Sequence, residues 1–115
     1  MPVLPAQAQF AWGTPLDPAE VQPFTFGWDA ELAATGASIS TDNWTLSSAA
    51  VAAGIEIQLQ TNDLTKSTVW LRVNALNQSD PIFDPPGTDF TIKVTMTDSD
   101  GRTYERTVKF TVGQQ

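Results

Sequence analysis

The sequence predicts an all-β fold: an antiparallel sandwich of six to seven short strands behind an extended N-terminal arm. Three observations carry this. Apolar residues recur at every second position in one segment after another, the pattern of strands with one buried face. Gly, Pro, Asn and Asp punctuate the chain at intervals of about ten residues, and no long segment keeps a helical period. The 115 residues, with six Phe and four Trp, suffice for one domain with an aromatic core. The expected division is an arm over residues 1–18 and a sandwich over 19–115.

Residues 1–18 carry Pro2, Pro5, Pro15 and Pro18. Proline fixes φ and removes a donor, so the stretch reads as extended. It also carries Phe10, Trp12 and Leu16, which a featureless tag would not need. The arm either folds back on its own domain or reaches a neighbouring subunit. From Pro23 the period becomes two: Phe24, Phe26 and Trp28 alternate with Thr25 and Gly27. Asp29 then stands where a helix N-cap would, with Gly36 placed to close one or two turns.

Between Ala37 and Leu46, a bulge near Asp42-Asn43 would bring Ile39 and Trp44 to one face. Residues 47–53, Ser and Ala with one Val, read as a connector without strong preference. Ile55, Ile57 and Leu59 form the next strand, ended by Thr61-Asn62-Asp63. From Thr68, Val69, Leu71 and Val73 point one way while Trp70 and Arg72 point the other. Residues 75–88 form a long irregular stretch, and Ile82 and Phe83 within it call for something to pack against.

The last two strands predict their own register. Phe90, Ile92, Val94 and Met96 share a face, and Tyr104, Val108, Phe110 and Val112 continue it. Both sets face one core only if paired positions sum to an even number. That requires a three-residue loop, Ser99-Asp100-Gly101, with Gly101 left-handed in a G1 bulge. Met96 then faces Tyr104, Ile92 faces Val108 and Phe90 faces Phe110. Arg106 falls inward opposite Val94, so it lies near an open edge or pairs with a carboxylate. The two-faced strands and their spacing describe an immunoglobulin-like sandwich, with a closed barrel as the alternative.

Composition narrows the chemistry. With no His and no Cys, the usual general base, the thiol nucleophile, disulfides and zinc-thiolate sites drop out. Most acids fall in turns, where Asp serves local hydrogen bonds, so no catalytic site is expected. Asp98-x-Asp100-Gly101 is similar to the start of a calcium loop, but Glu105 misses the required offset and the hairpin accounts for the residues. No metal or cofactor is expected. A net charge of −7 opposes binding to nucleic acid. Short apolar runs and an N-terminus without a basic residue predict neither a membrane span nor a secretory signal. No Lys or Arg precedes Lys66, so an acidic face could orient the chain on a basic neighbour.

Several features in order resemble a family of small phage proteins described as fiber-tail adaptor or Ig-like virion proteins. The residues are Leu16-Asp17-Pro18, Phe26-Gly27-Trp28-Asp29, Leu32, Ile39, Trp44-Thr45-Leu46, Gly54-Ile55-Glu56-Ile57, Thr68-Val69-Trp70-Leu71 and Gly101-Arg102-Thr103-x-Glu105-Arg106. They span roughly residues 16–112. Residues 74–88 depart from the short glycine-rich turn of that family. The resemblance implies a multicopy structural virion protein, assembled in the host cytoplasm. It would link neck, tail or fiber subunits and contact copies of itself. Phe10, Trp12, Ile82 and Phe83 are the expected hydrophobic anchors, with Leu16, Trp70 and Arg72 as further partner-binding candidates. The competing class is a carbohydrate- or receptor-binding module with Trp70 as a stacking platform; an exposed Trp70 beside polar side chains would favour it.

Overall fold

Seven strands and two short helices make up the chain in a computed structural model that describes residues 10–33 and 35–114. In order they are β1 (Phe10–Ala11), β2 (Gln22–Gly27), α1 (Asp29–Ala33), β3 (Ile39–Leu46), α2 (Ser48–Ala52), β4 (Ile55–Asn62), β5 (Lys66–Val73), β6 (Thr88–Asp98) and β7 (Thr103–Val112). One sheet runs β1-β7-β6-β3 and the other β2-β5-β4. The chain crosses between sheets at β1–β2, β2–β3, β3–β4 and β5–β6, the connectivity of an immunoglobulin-like sandwich. A fully or nearly fully buried Trp44 on β3 occupies the place such folds give to a core Trp on the corresponding strand.

The alternating residues meet between the sheets as expected. Phe24, Phe26, Val69, Leu71 and Val73 face Ile92, Val94, Met96, Val108 and Phe110, all 7 % exposed or less. The β6–β7 register is the predicted one, with Phe90↔Phe110, Ile92↔Val108 and Met96↔Tyr104. Gly101 has φ 89°, and its N–H donates to the Asp98 carbonyl at 3.0 Å, closing the three-residue loop. Arg106 sits opposite Val94 and takes the carboxylate option, as described below.

Four expectations need correction. The bulge on β3 lies between Ile39 and Thr41, not at Asp42-Asn43. The extra residue is Ser40, which still lets Ile39 pack against the core that buries Trp44. Residues 47–53 are not a plain connector: Ser47 Oγ accepts from the Ala50 N–H at 3.2 Å and caps α2. The fold is not wholly antiparallel, since β1 runs parallel to β7.

The fourth correction concerns the arm, which is not separate between residues 10 and 18; residues 1–9 lie outside the described residues. Phe10 and Ala11 pair with Val108 and Lys109. The Trp12 N–H donates to Lys109 and the Leu16 N–H to Thr111, and Leu16 accepts from Gly113. Prolines stiffen the segment, but Trp12 and Leu16 have an apolar seam to enter, and that burial outweighs an unattached course.

Among the described residues, strand pairing is obstructed on β2, β3 and β4 and on the stretch of β7 beyond β1. On β2, Pro23 offers no N–H, and Trp12 Nε1 donates to the Thr25 carbonyl at 2.9 Å. On β3, the Trp44 N–H is taken by the Gln60 side chain at 3.2 Å. On β7, Arg106 Nη1 caps the Glu105 carbonyl at 2.8 Å above the stretch that β1 covers. A register shift between Ile57 and Leu59 distorts β4. Such devices stop strands of other chains from extending the sheets, so contacts with partners fall to faces and loops.

The β4–β5 turn carries a pH-sensitive contact. Asp63 Oδ1 accepts the Thr65 N–H at 2.9 Å and the Lys66 N–H at 2.8 Å. These bonds, with the nearby Lys66 charge, hold its carboxyl below the ordinary 3.8. A lowered folded-state pKa means the unfolded chain binds the proton more readily. The contribution is therefore complete above pH 3.8 and disappears as pH falls through the lower folded value. Asp63→Asn should flatten the stability-versus-pH curve in that acid window alone, read by thermal midpoints across a pH series.

Candidate interaction surfaces

The anchors expected from sequence separate into buried and accessible groups. Leu16 and Phe83 are each 0 % exposed. Phe83 closes a 3₁₀ turn, Pro81–Phe83, whose start is capped by Asp80 accepting from the Ile82 N–H at 3.1 Å. Its ring packs 6.5 Å from Phe90, and its carbonyl accepts from Gln114. These two candidates are therefore corrected: both belong to the chain's own core. Arm and loop meet on the end of β7, where Gly113 holds Leu16 and Gln114 holds Phe83. Gly87, φ 88°, permits this approach, because a Cβ there would lie 2.6 Å from the Val112 carbonyl oxygen.

Phe10 and Trp12 are largely committed inward as well. Phe10 stands edge-on to Phe26 at 5.0 Å, and Trp12 lies 4.9 Å from Phe24 and 5.7 Å from Trp44. Phe10 keeps 36 % of its surface exposed, so it can contribute only to the rim of a contact. Ile82, 42 % exposed, remains accessible.

Trp70 and Arg72 do share one face, as their parity required. Both lie on the outer side of the β2-β5-β4 sheet, opposite the buried Val69, Leu71 and Val73. Arg72 is fixed by Glu56, with Nε and Nη2 each 2.9 Å from Oε1. Trp70 is half-buried.

The charged groups are mostly answered in place. Arg106 Nη2 reaches Glu31 Oε2 of α1 at 3.0 Å, and its guanidinium stands 5.9 Å from the Trp28 ring and 5.8 Å from Tyr104. Lys93, Arg102 and Lys109 pair with Glu105, Asp100 and Asp89 at 3.5, 3.4 and 3.9 Å. Glu20, Asp29, Asp80 and Asp84 have no ion-pair partner among the described residues, and they carry much of the excess negative charge. Asp98 Oδ1 accepts the Asp100 and Arg102 N–H groups at 2.9 Å each, so its carboxylate organises the hairpin. Among the described residues, no cluster of three or more acids could hold a metal ion, and no helix is long and apolar enough to cross a membrane.

Exposed apolar residues that sequence reading passed over are more prominent. Leu76 is 94 % exposed, Leu64 71 % and Val51 60 %; Leu59, expected to share a face with Ile55 and Ile57, is instead 51 % exposed, because the register shift after Ile57 sets it opposite Trp70 on the outer face. Leu76 is the one large apolar side chain in Asn74-Ala-Leu-Asn-Gln78, a turn whose polar residues all have bonds to make. The Asn77 N–H donates to both the carbonyl and the Oδ1 of Asn74, and Gln78 Nε2 donates to the Val73 carbonyl. The Asn74 N–H donates to the Gly54 carbonyl at 2.9 Å, which ties this turn to the end of α2, the helix that carries Val51. A strongly polar turn interrupted by a single Leu was the available signal.

What these residues define is an immunoglobulin-like β-sandwich with an exposed Leu76 in the turn after β5 and an outer sheet face that carries Trp70 and Arg72. No protein-family model matches the chain, and no curated protein is significantly similar to it.

Proposed function

We propose that the chain is a structural virion protein of a tailed phage, a multicopy adaptor joining neck, tail or fiber subunits through protein–protein contacts. The ordered resemblance over residues 16–112 supports the virion setting. The observation that carries the adaptor reading is Leu76, 94 % exposed on a turn braced by the Asn77 and Gln78 bonds. A large apolar side chain held out on a rigid support loses little freedom on docking, which is how interface anchors act. The unpaired carboxylates of Asp80 and Asp84, in the same β5–β6 connection, would orient this end towards a basic surface. Blocked edges suit a protein present in many copies, since they suppress unintended sheet extension. Assembly in the host cytoplasm follows from this reading.

The test is quantitative mass spectrometry of purified particles. The chain should be present in multiple copies per particle. Leu76→Asp should lower incorporation at least about tenfold, while changing the stability of the isolated chain by less than about 0.5 kcal/mol. Absence of the wild-type chain from purified particles would refute the proposal.

A further inference from the structure

Beyond the adaptor role, and independently of it, we infer that the outer face of the β2-β5-β4 sheet binds a neutral oligosaccharide. The register lines up three rows across this sheet. Pro23, Trp70 and Leu59 are direct cross-strand partners and form a continuous apolar row with Trp70 at its centre. On one side runs a hydroxyl row of Thr25, Thr68 and Thr61, with Thr25 and Thr68 Oγ1 atoms 3.0 Å apart. On the other side stands the Arg72–Glu56 pair, fixed at 2.9 Å. The indole N–H of Trp70 has no partner among the described residues.

The chemistry of the rows identifies the ligand. A pyranose presents C–H groups on its faces and hydroxyls around its rim. An aromatic platform between two lines of fixed donors and acceptors is complementary to it: the ring stacks, and the rim bonds to threonine hydroxyls, guanidinium and carboxylate. Adjacent strands lie about 4.8 Å apart, so the apolar row extends about 10 Å and can support more than one sugar unit. The charges directly flanking the apolar row, Arg72 and Glu56, cancel each other, which favours a neutral sugar over an anionic one.

A protein partner fits less well. Three rows on three strands cover about 10 by 13 Å, far below the roughly 800 Å² per partner of a stable protein interface. The site is also open rather than concave, so it would hold a chain laid across the strands instead of enclosing a monosaccharide.

The test follows the four indole N–H signals by two-dimensional ¹H–¹⁵N NMR during titration with cellohexaose, maltohexaose, chitohexaose and, as the anionic control, polygalacturonate. At least one neutral hexasaccharide should shift the Trp70 signal saturably while leaving those of Trp28 and Trp44 in place. Trp70→Ala and Arg72→Ala should each weaken that binding at least about tenfold by calorimetry, with thermal midpoints close to wild type. No shift with any neutral probe at millimolar concentration, or undiminished binding by Trp70→Ala, would overturn the inference. Loss of particle incorporation by Trp70→Ala without a sugar response would assign the face to a protein contact instead. Leu76 lies outside the three rows, in the turn that follows β5, so either proposal can fail alone.

Discussion

Trp28→Ala should destabilise the isolated domain by about 3–5 kcal/mol, the range for removing a large buried aromatic. Domains of this size are usually stable by about 5–15 kcal/mol, so the variant would sit near its unfolding threshold. The magnitude follows from how many elements meet on one ring. Trp28 is 0 % exposed, packs 4.7 Å from Phe26 and 6.3 Å from Tyr104, and lies beneath the Arg106 guanidinium. Its Nε1 donates to the buried Ser67 Oγ at 2.9 Å, tying the end of β2 to β5. Removing the ring leaves a cavity, a hydroxyl without its donor and a cation without its shelf. Ser67→Ala isolates one part of this: the indole N–H would stay buried and unpaired, a loss of about 1–3 kcal/mol. A double-mutant cycle by urea denaturation separates the two, and the pair should show clear coupling. A loss under about 1 kcal/mol for Trp28→Ala would mean that the ring is not central to the core.

The β6–β7 hairpin was readable because its information is local. Parity fixed the inward set, and Gly101 supplied the only residue in the loop free to take a positive φ. The same parity placed Trp70 and Arg72 outward and Arg106 inward. What parity could not supply was Arg106's partner: Glu31 lies 75 positions earlier, on a helix of five residues. Nor could it reveal α2, since a Ser followed by Ala residues suits a capped turn and a loose connector alike until Ala50 has a core to enter. The arm was hardest. Its contacts are made with the last strand of the chain, and proline-rich composition reads the same whether a segment docks in its own sandwich or another's. Edge protection was invisible for a related reason, as it depends on the Trp12 and Gln60 side chains crossing between sheets.

That ambiguity makes Leu16 the most informative single position. Leu16→Ala is expected to cost about 2–5 kcal/mol in the isolated, dilute chain, since the side chain is 0 % exposed and its backbone bridges Thr111 and Gly113. Two pictures of the arm diverge here in kind as well as in size. If residues 10–18 docked on a neighbouring subunit, the free chain would already lack this contact, and the substitution would alter association while leaving unfolding unchanged. With the arm folded onto its own sheet, the unfolding midpoint falls by the same amount at every protein concentration, because no second molecule takes part. Chemical denaturation of wild type and Leu16→Ala over a hundredfold concentration range distinguishes them. A concentration-dependent difference would return the arm to a partner. A constant one makes residues 10–16 part of the sandwich itself, and leaves Leu76 and the Trp70 face as the two contact surfaces proposed above.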